Sequence, residues 1–307
     1  MEKKYFYSLN EYYRKTYGQK AYKISLNGGM SCPNRDGTLS SRGCIFCSAK
    51  GSGDFAAGSH MDIRDQITEG IRLISDKYKD DCYIGYFQAF TNTYAPIERL
   101  EELFTKAITD DRLSGLSIAT RPDCLSDEVI LLLKRLNEIK PITIELGLQT
   151  VNETTAIYIN RGYSLLVYDD ACQRLLSANI PFVVHMIVGL PRENTTDFLK
   201  TASHIAKSGA AGIKIQLLHV LKDTELSKDY EAEIFEAMTL EDYVKAVVDI
   251  IEILPKNMVI HRITGDGPRD LLIAPMWSTN KKNVLNSINR EFIKRNTYQG
   301  KEYQKWQ

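Results

Sequence analysis

Apolar residues recur along this chain with two alternating periods. Short runs rich in Ile, Val, Leu, Tyr and Phe read as strands: AYKISLN (21–27), CYIGYFQAF (82–90), LSGLSIATR (113–121), ITIELGLQT (142–150), PFVVHMIVGLP (181–191) and GIKIQLLHV (212–220). Between them lie segments with helical spacing. Residues 62–78 carry Ile63, Ile67, Ile71 and Ile74 on one face, and 96–108, 126–136, 165–178 and 195–207 follow. Ser126 is placed to cap the third of these. Six such alternations predict an α/β fold: a parallel sheet with outer helices, curled into a partial (β/α)6 TIM-like barrel. Ligand sites in such a fold lie at the C-terminal ends of the strands.

From about residue 226 the alternation fades. A helix near 240–254, a short strand at 259–263, the loop TGDGPRDLLIAPMWS (264–278) and a basic helix at 280–296 read as an appended region. The expected organisation is a basic aromatic N-terminal extension (1–19), a barrel (20–226) and a C-terminal extension (227–307).

Composition changes this picture little. The 307 residues carry 39 Lys plus Arg against 39 Asp plus Glu, so net charge names no partner. No apolar run approaches the roughly 20 residues of a membrane span, and the N-terminus lacks the apolar core of a signal peptide. The expectation is a cytoplasmic protein with no membrane partner, whose six cysteines bind metal or are buried. Charge is uneven locally. Residues 1–24 and 281–307 are basic and aromatic, which suits contact with RNA through phosphates and unpaired bases.

The chemistry concentrates in SCPNRDGTLSSRGCIFCSAKGSGDF (31–55), directly after the first strand. It holds Cys32, Cys44 and Cys47, with gaps of eleven and two residues. A structural zinc site takes four protein ligands. A [4Fe–4S] cluster normally takes four thiolates, so three would leave one iron open for chemistry. A zinc-bearing nucleic-acid-binding module without catalysis stays open as the alternative, as do three simply buried cysteines.

A three-cysteine loop after the first strand of a partial β/α barrel resembles the radical S-adenosylmethionine (SAM) superfamily. The common spacing there is Cys-x3-Cys-x2-Cys; the longer first gap here is similar to the subgroup containing the Elp3-like enzymes, and Phe46 before the last cysteine also fits. The resemblance implies that Cys32, Cys44 and Cys47 hold a [4Fe–4S] cluster and that SAM chelates the open iron. One-electron cleavage of SAM would then give a 5′-deoxyadenosyl radical that abstracts hydrogen from substrate. The electron would come from a reductant such as flavodoxin or ferredoxin.

The later segments match in order. FQAFTNTYAP (87–96) stands where the family has a Gly-Gly-Glu-like segment, which implies Gln88, Thr91 or Asn92 at the SAM amino group. ELGLQT (145–150) implies Glu145 and Gln149 at the SAM ribose and methionine, and NRG (160–162) implies Arg161 at the SAM carboxylate. HMIVGLP (185–191) implies His185 and Gly189 beside adenine, the latter through close backbone approach. Lys214, Gln216 and His219 are candidates to face the cavity. Asp266 and Arg269 are candidates for the substrate side, with Trp277 and His261 near the site if the tail closes the mouth. Cys82, Cys124 and Cys172 match no family position and read as small buried residues.

The whole chain also resembles the YhcC/YtqA-type (MnmL) group, through SCPNRDGT, GSGDF, LHVLKDTEL and TGDGPRDLLIAPMWS. That resemblance implies tRNA, not DNA, as partner, and the 5-carboxymethylaminomethyl side chain of wobble uridine as the group modified, to aminomethyl.

Overall fold

The structure is a computed structural model and describes residues 4–51, 53, 58–75, 80–265 and 267–306. Asp266, and Ser52, Asp54 and Phe55 of the GSGDF segment, lie outside the described residues. A helix α1 (Leu9–Tyr17) precedes β1 (Ala21–Leu26). Then come α2 (Ile63–Ser75), β2 (Cys82–Phe87), α3 (Ile97–Ile108), β3 (Leu113–Thr120), α4 (Asp127–Asn137) and β4 (Ile142–Gln149). Next are α5 (Glu153–Tyr158), α6 (Leu165–Ser177), β5 (Phe182–Val188), α7 (Thr195–Lys207) and β6 (Gly212–Leu217). The chain ends with β7 (Val220–Leu221), α8 (Glu225–Glu231), α9 (Leu240–Ile253), β8 (Val259–Arg262), β9 (Leu272–Ala274) and α10 (Lys281–Arg295).

All six expected strands form, in sequence order, and the sheet is parallel throughout. A seventh strand, β8, pairs beside β6. It comes from the segment read as an extension, so that segment completes the sheet. The order β1-β2-β3-β4-β5-β6-β8 leaves β1 and β8 as the two end strands, which do not pair with each other, and the sheet is a curled half-barrel.

Period-two alternation divides each strand between two environments. In β4, Ile144, Leu146 and Leu148 point to the outer helices and are fully buried, while Thr143, Glu145, Gly147 and Gln149 point inward. Tyr86 on β2, Ser117 on β3 and His185 on β5 share that inward face. Helix entry follows local signals. Ser126 Oγ accepts from Val129 N at 3.3 Å, and Asn194 with Asp197 forms a capping box that opens α7.

The N-terminal extension is a helix rather than an open segment. Ser8 caps α1 and Gly18 closes it in the left-handed region at φ 75°. Helix α1 packs on β1 and β8 across the lower mouth. Ile260 N donates to Tyr7 O at 2.8 Å, extending the β8 edge. Tyr5 stacks on Phe292 of α10 with centroids 5.3 Å apart, and Phe6 lies 6.0 Å from the same ring. Tyr5 and Phe6 thus pack the N-terminal segment onto α10.

Candidate active site

The cysteine loop is shaped by its own backbone and pinned from two sides. Arg35 N and Asp36 N both donate to Cys32 O, Gly43 N donates to Asn34 O at 2.6 Å, and Cys47 N donates to Cys44 O at 3.0 Å. The loop after β2 clamps both ends: Thr91 N donates to Ser31 O at 3.2 Å and Phe90 N to Gly51 O at 2.9 Å. Gly51 is required there, because a Cβ would come within 2.3 Å of the Phe90 ring. Arg35 donates to Cys47 O at 2.8 Å and Ser48 O at 2.7 Å. From the far side, Asn160 of the NRG segment donates to Gly43 O at 2.6 Å and Ser40 Oγ at 3.2 Å.

Cys32, Cys44 and Cys47 line one cavity at the upper mouth. Asn34 Nδ2 approaches Cys44 Sγ at 3.6 Å. Burial, with Cys47 adding to it, pushes the Cys44 thiol up to about 12. Among the described residues, no three His, Cys, Asp or Glu side chains gather as ligands of a single ion. A cluster takes one thiolate per iron and spreads its ligands more widely than one ion does. Three thiols around one cavity, with no fourth cysteine lining it, fit that donor set.

Beneath the cysteine loop, the half-barrel is tied by one carboxylate. Glu145 Oε1 accepts from Lys23 and from Ser117 Oγ at 2.7 Å. Its Oε2 accepts from Lys214 and from Tyr86 OH at 2.9 Å, and lies 2.7 Å from His185 Nε2. Donors from β1, β2, β3, β5 and β6 thus converge on β4. Burial works to raise the Glu145 carboxyl, but Lys214, Lys23 and His185 outweigh it and hold it well below the ordinary value. Burial, reinforced by Lys214, lowers His185 to about 4, so its imidazole is neutral at pH 7. Burial also lowers Lys214, to about 7, against the attraction of Glu145.

The same cavity brings together Gln88, Thr91, Glu145, Gln149, Arg161 and His185, along with Lys214 and Gln216. Asn92 and Gly189 are not in its lining. Asn92 is buried and ties two strand ends, donating to Phe87 O at 3.1 Å and Ala119 O at 2.9 Å. Gly189 turns toward Met238, whose sulfur would lie 3.0 Å from an added Cβ. Arg161 is 1% exposed and its guanidinium is engaged by Tyr163 O, Leu148 O, Thr150 O and Glu153. The structure thus gives Arg161 a bracing role at the exit of β4. Likewise both oxygens of Glu145 already serve the protein.

Other expectations are relocated. His219 packs against Gly265 and Gly267 outside the cavity, Trp277 donates to Met238 O at 2.9 Å, and His261 lies at the lower mouth. Arg269 is exposed. Cys82 and Cys172 are buried and Cys124 is half-buried.

Sequence reasoning missed Tyr86, Arg35, Arg121 and Tyr163. Tyr163 lies between two guanidiniums, 5.0 Å from Arg121 and 4.7 Å from Arg161, and donates to Gly147 O. Arg121 also donates to Asp123 and to Arg161 O. For Tyr86 and Arg121 the available signal was a polar residue at an inward strand position or just past the strand end; Arg35 and Tyr163 sit deep in loops and carried none.

Comparison with known proteins agrees with this geometry. Residues 38–205 match the radical SAM superfamily and 210–294 the radical SAM C-terminal domain. The chain is 47% identical over 304 residues to uncharacterized protein YtqA of Bacillus subtilis, covering 99% of this chain and 94% of that protein. Protein YhcC of Escherichia coli is 34% identical over 275 residues, covering 89% and 88%. In fold, the chain is similar to the archaeal Methanocaldococcus infernus Elp3, with a TM-score of 0.68 over 93% of this chain and 67% of that one, at 18% identity. These matches displace the non-catalytic zinc module: the chain belongs to the radical SAM superfamily of enzymes.

Proposed function

We propose that this enzyme acts on the wobble uridine of tRNA, removing the carboxymethyl portion of a 5-carboxymethylaminomethyl side chain. A hydrogen atom leaves the carbon beside the amine, a one-electron acceptor takes the second electron and a proton is lost, and water adds to the resulting imine to release glyoxylate and leave aminomethyl. Cys32, Cys44 and Cys47 would hold a [4Fe–4S] cluster, and Gln88, Thr91, Gln149 and His185 would border SAM. Bound, the cluster and SAM supply one-electron hydrogen-atom abstraction.

The observation that carries the substrate assignment is the charge of the cavity interior. Lys214 and Arg262 line its wall with Gln216, and Glu145, the single carboxylate in that lining, also bonds Lys23 from below. Such a wall suits a substrate that brings its own carboxylate. Lys214 would orient that group, and Tyr86 and Glu145 hold Lys214 in place. His185, held by its Nε2 contact to Glu145, stays neutral and adds no charge to this wall. Exposed Lys281, Lys282, Arg290 and Lys294 on α10 supply positive charge for phosphates.

The test is anaerobic reconstitution with iron and sulfide, followed by incubation with SAM, a reductant and tRNA bearing the carboxymethylaminomethyl group. Nucleoside mass spectrometry should show the aminomethyl product, matched by 5′-deoxyadenosine. Deoxyadenosine without any change in the tRNA would overturn the RNA assignment.

A further inference from the structure

A second cavity, about 370 Å³, lies at the opposite mouth, below the Glu145 network. Its size falls within the range of small-molecule sites, about 300–1,000 Å³. Helix α1 roofs it with Tyr13 and Tyr17, Tyr7 and Tyr12 stand at its edge, and strand residues Thr143 and His261 line its walls. Lys23 and Ser117 line its inner end. The N-terminal face of a β/α barrel ordinarily serves stability, packed with apolar side chains. Here that face is hollow and lined by hydrogen-bonding groups.

We propose that this cavity is a binding site for an uncharged, planar heterocycle of nucleobase size. Three observations specify the ligand. The walls are aromatic: Tyr7, Tyr12, Tyr13 and Tyr17 all line the cavity, and flat ligands pack against such rings. The polar groups are neutral. Burial raises both the Tyr13 and Tyr17 hydroxyls, the latter to about 12, and lowers His261 well below its ordinary value. The one cation, Lys23, already faces the Glu145 carboxylate, so no net charge calls for an ion. Finally, Thr143, Asn257 and His261 stand in the lining itself, so a ligand edge carrying both donors and acceptors would meet partners there.

The site is independent of the substrate assignment and distinct from the cysteine cavity, whose lining it does not share. The two are nonetheless neighbours, because Lys23 and Ser117 bond directly to Glu145, which lines the upper cavity.

The experiment is calorimetric titration of the full chain with adenine and with uracil, with benzoate as the anionic comparison. One base should bind at a single site, benzoate should not, and saturating SAM should leave the binding unchanged. Thr143→Val, which keeps the side-chain shape, should weaken binding several-fold. His261→Phe and Tyr17→Leu should each weaken it about tenfold or more. Thermal melts of every variant establish that the fold is kept, and Thr143→Val stands as the safeguard if the larger changes unfold the chain. No binding of either base, a preference for benzoate, competition by SAM, or affinities unchanged in folded variants would each overturn the proposal.

Discussion

At the upper mouth the chain presents thiols, arginines and irregular loops; at the lower mouth it presents tyrosine rings, prolines and one short capping helix. Both rest on the same layer of side chains around Glu145. The upper loops are held by backbone donors and guanidiniums, so their shape is set by directional bonds. The lower mouth is closed by a helix lying across two strand edges, so its shape is set by ring contacts. Those directional bonds hold the cysteine loop around one apolar anchor, Ile45, which packs with Ile159, Ile187 and Leu226. Ring packing leaves a space whose chemistry is mild and neutral.

That contrast is broken hardest at the cysteines. Cys47→Ala should reduce iron retained after anaerobic reconstitution to background, while Tyr17→Leu at the other mouth should retain it, as measured by iron and sulfide analysis. Next in size is the shared layer. Glu145→Ala leaves the buried Lys214 and the half-buried Lys23 without their carboxylate, and loss of one partner of a buried pair costs about 3–5 kcal/mol. Urea unfolding at neutral pH measures this, and a loss below about 1 kcal/mol would show that the layer is not a structural tie.

Acid should expose the same layer more gently. His185 is depressed from 6.5 to about 4, so over that interval the unfolded chain binds the extra proton. Glu145 is depressed below 4.5, and its contribution is lost as pH falls through its folded value. Both signs make stability fall on acidification below pH 6.5. The urea midpoint should therefore drop steadily toward pH 4, and a flat profile would contradict the assignment. The smallest effect belongs to the lower mouth: Tyr17→Leu faces a cavity and should cost less than about 1 kcal/mol by the same unfolding measurement.

The barrel was legible because aliphatic side chains mark the outer face of each strand, as Ile144, Leu146 and Leu148 do in β4. The same pattern failed for α1, whose inward face is built from tyrosines rather than aliphatics. Ser8 and Gly18 were the available signals, one as N-cap and one in the left-handed turn that ends the helix. Strand β8 was visible as VIHRI, but 41 residues separate it from β6, and distance in sequence hid their pairing. At the site, the three cysteines stood out by spacing alone. The roles of Arg161 and Asn160 did not, because both depend on carbonyl groups brought near by folding. Lys23, Tyr86 and Lys214 become one network only when separate strands curl toward a common axis.

β1 and β8 do not pair with each other, and that missing seam has a geometric consequence. A fully closed barrel is a well, and whatever enters it must come in end first. An open one, crossed below by α1, keeps a gap along one side and is closer to a slot. A slot can take a single projecting unit from the middle of a long strand while the strand itself stays outside. The missing seam is thus a matter of access: it allows a looped polymer to offer one residue to the interior without having an end to thread.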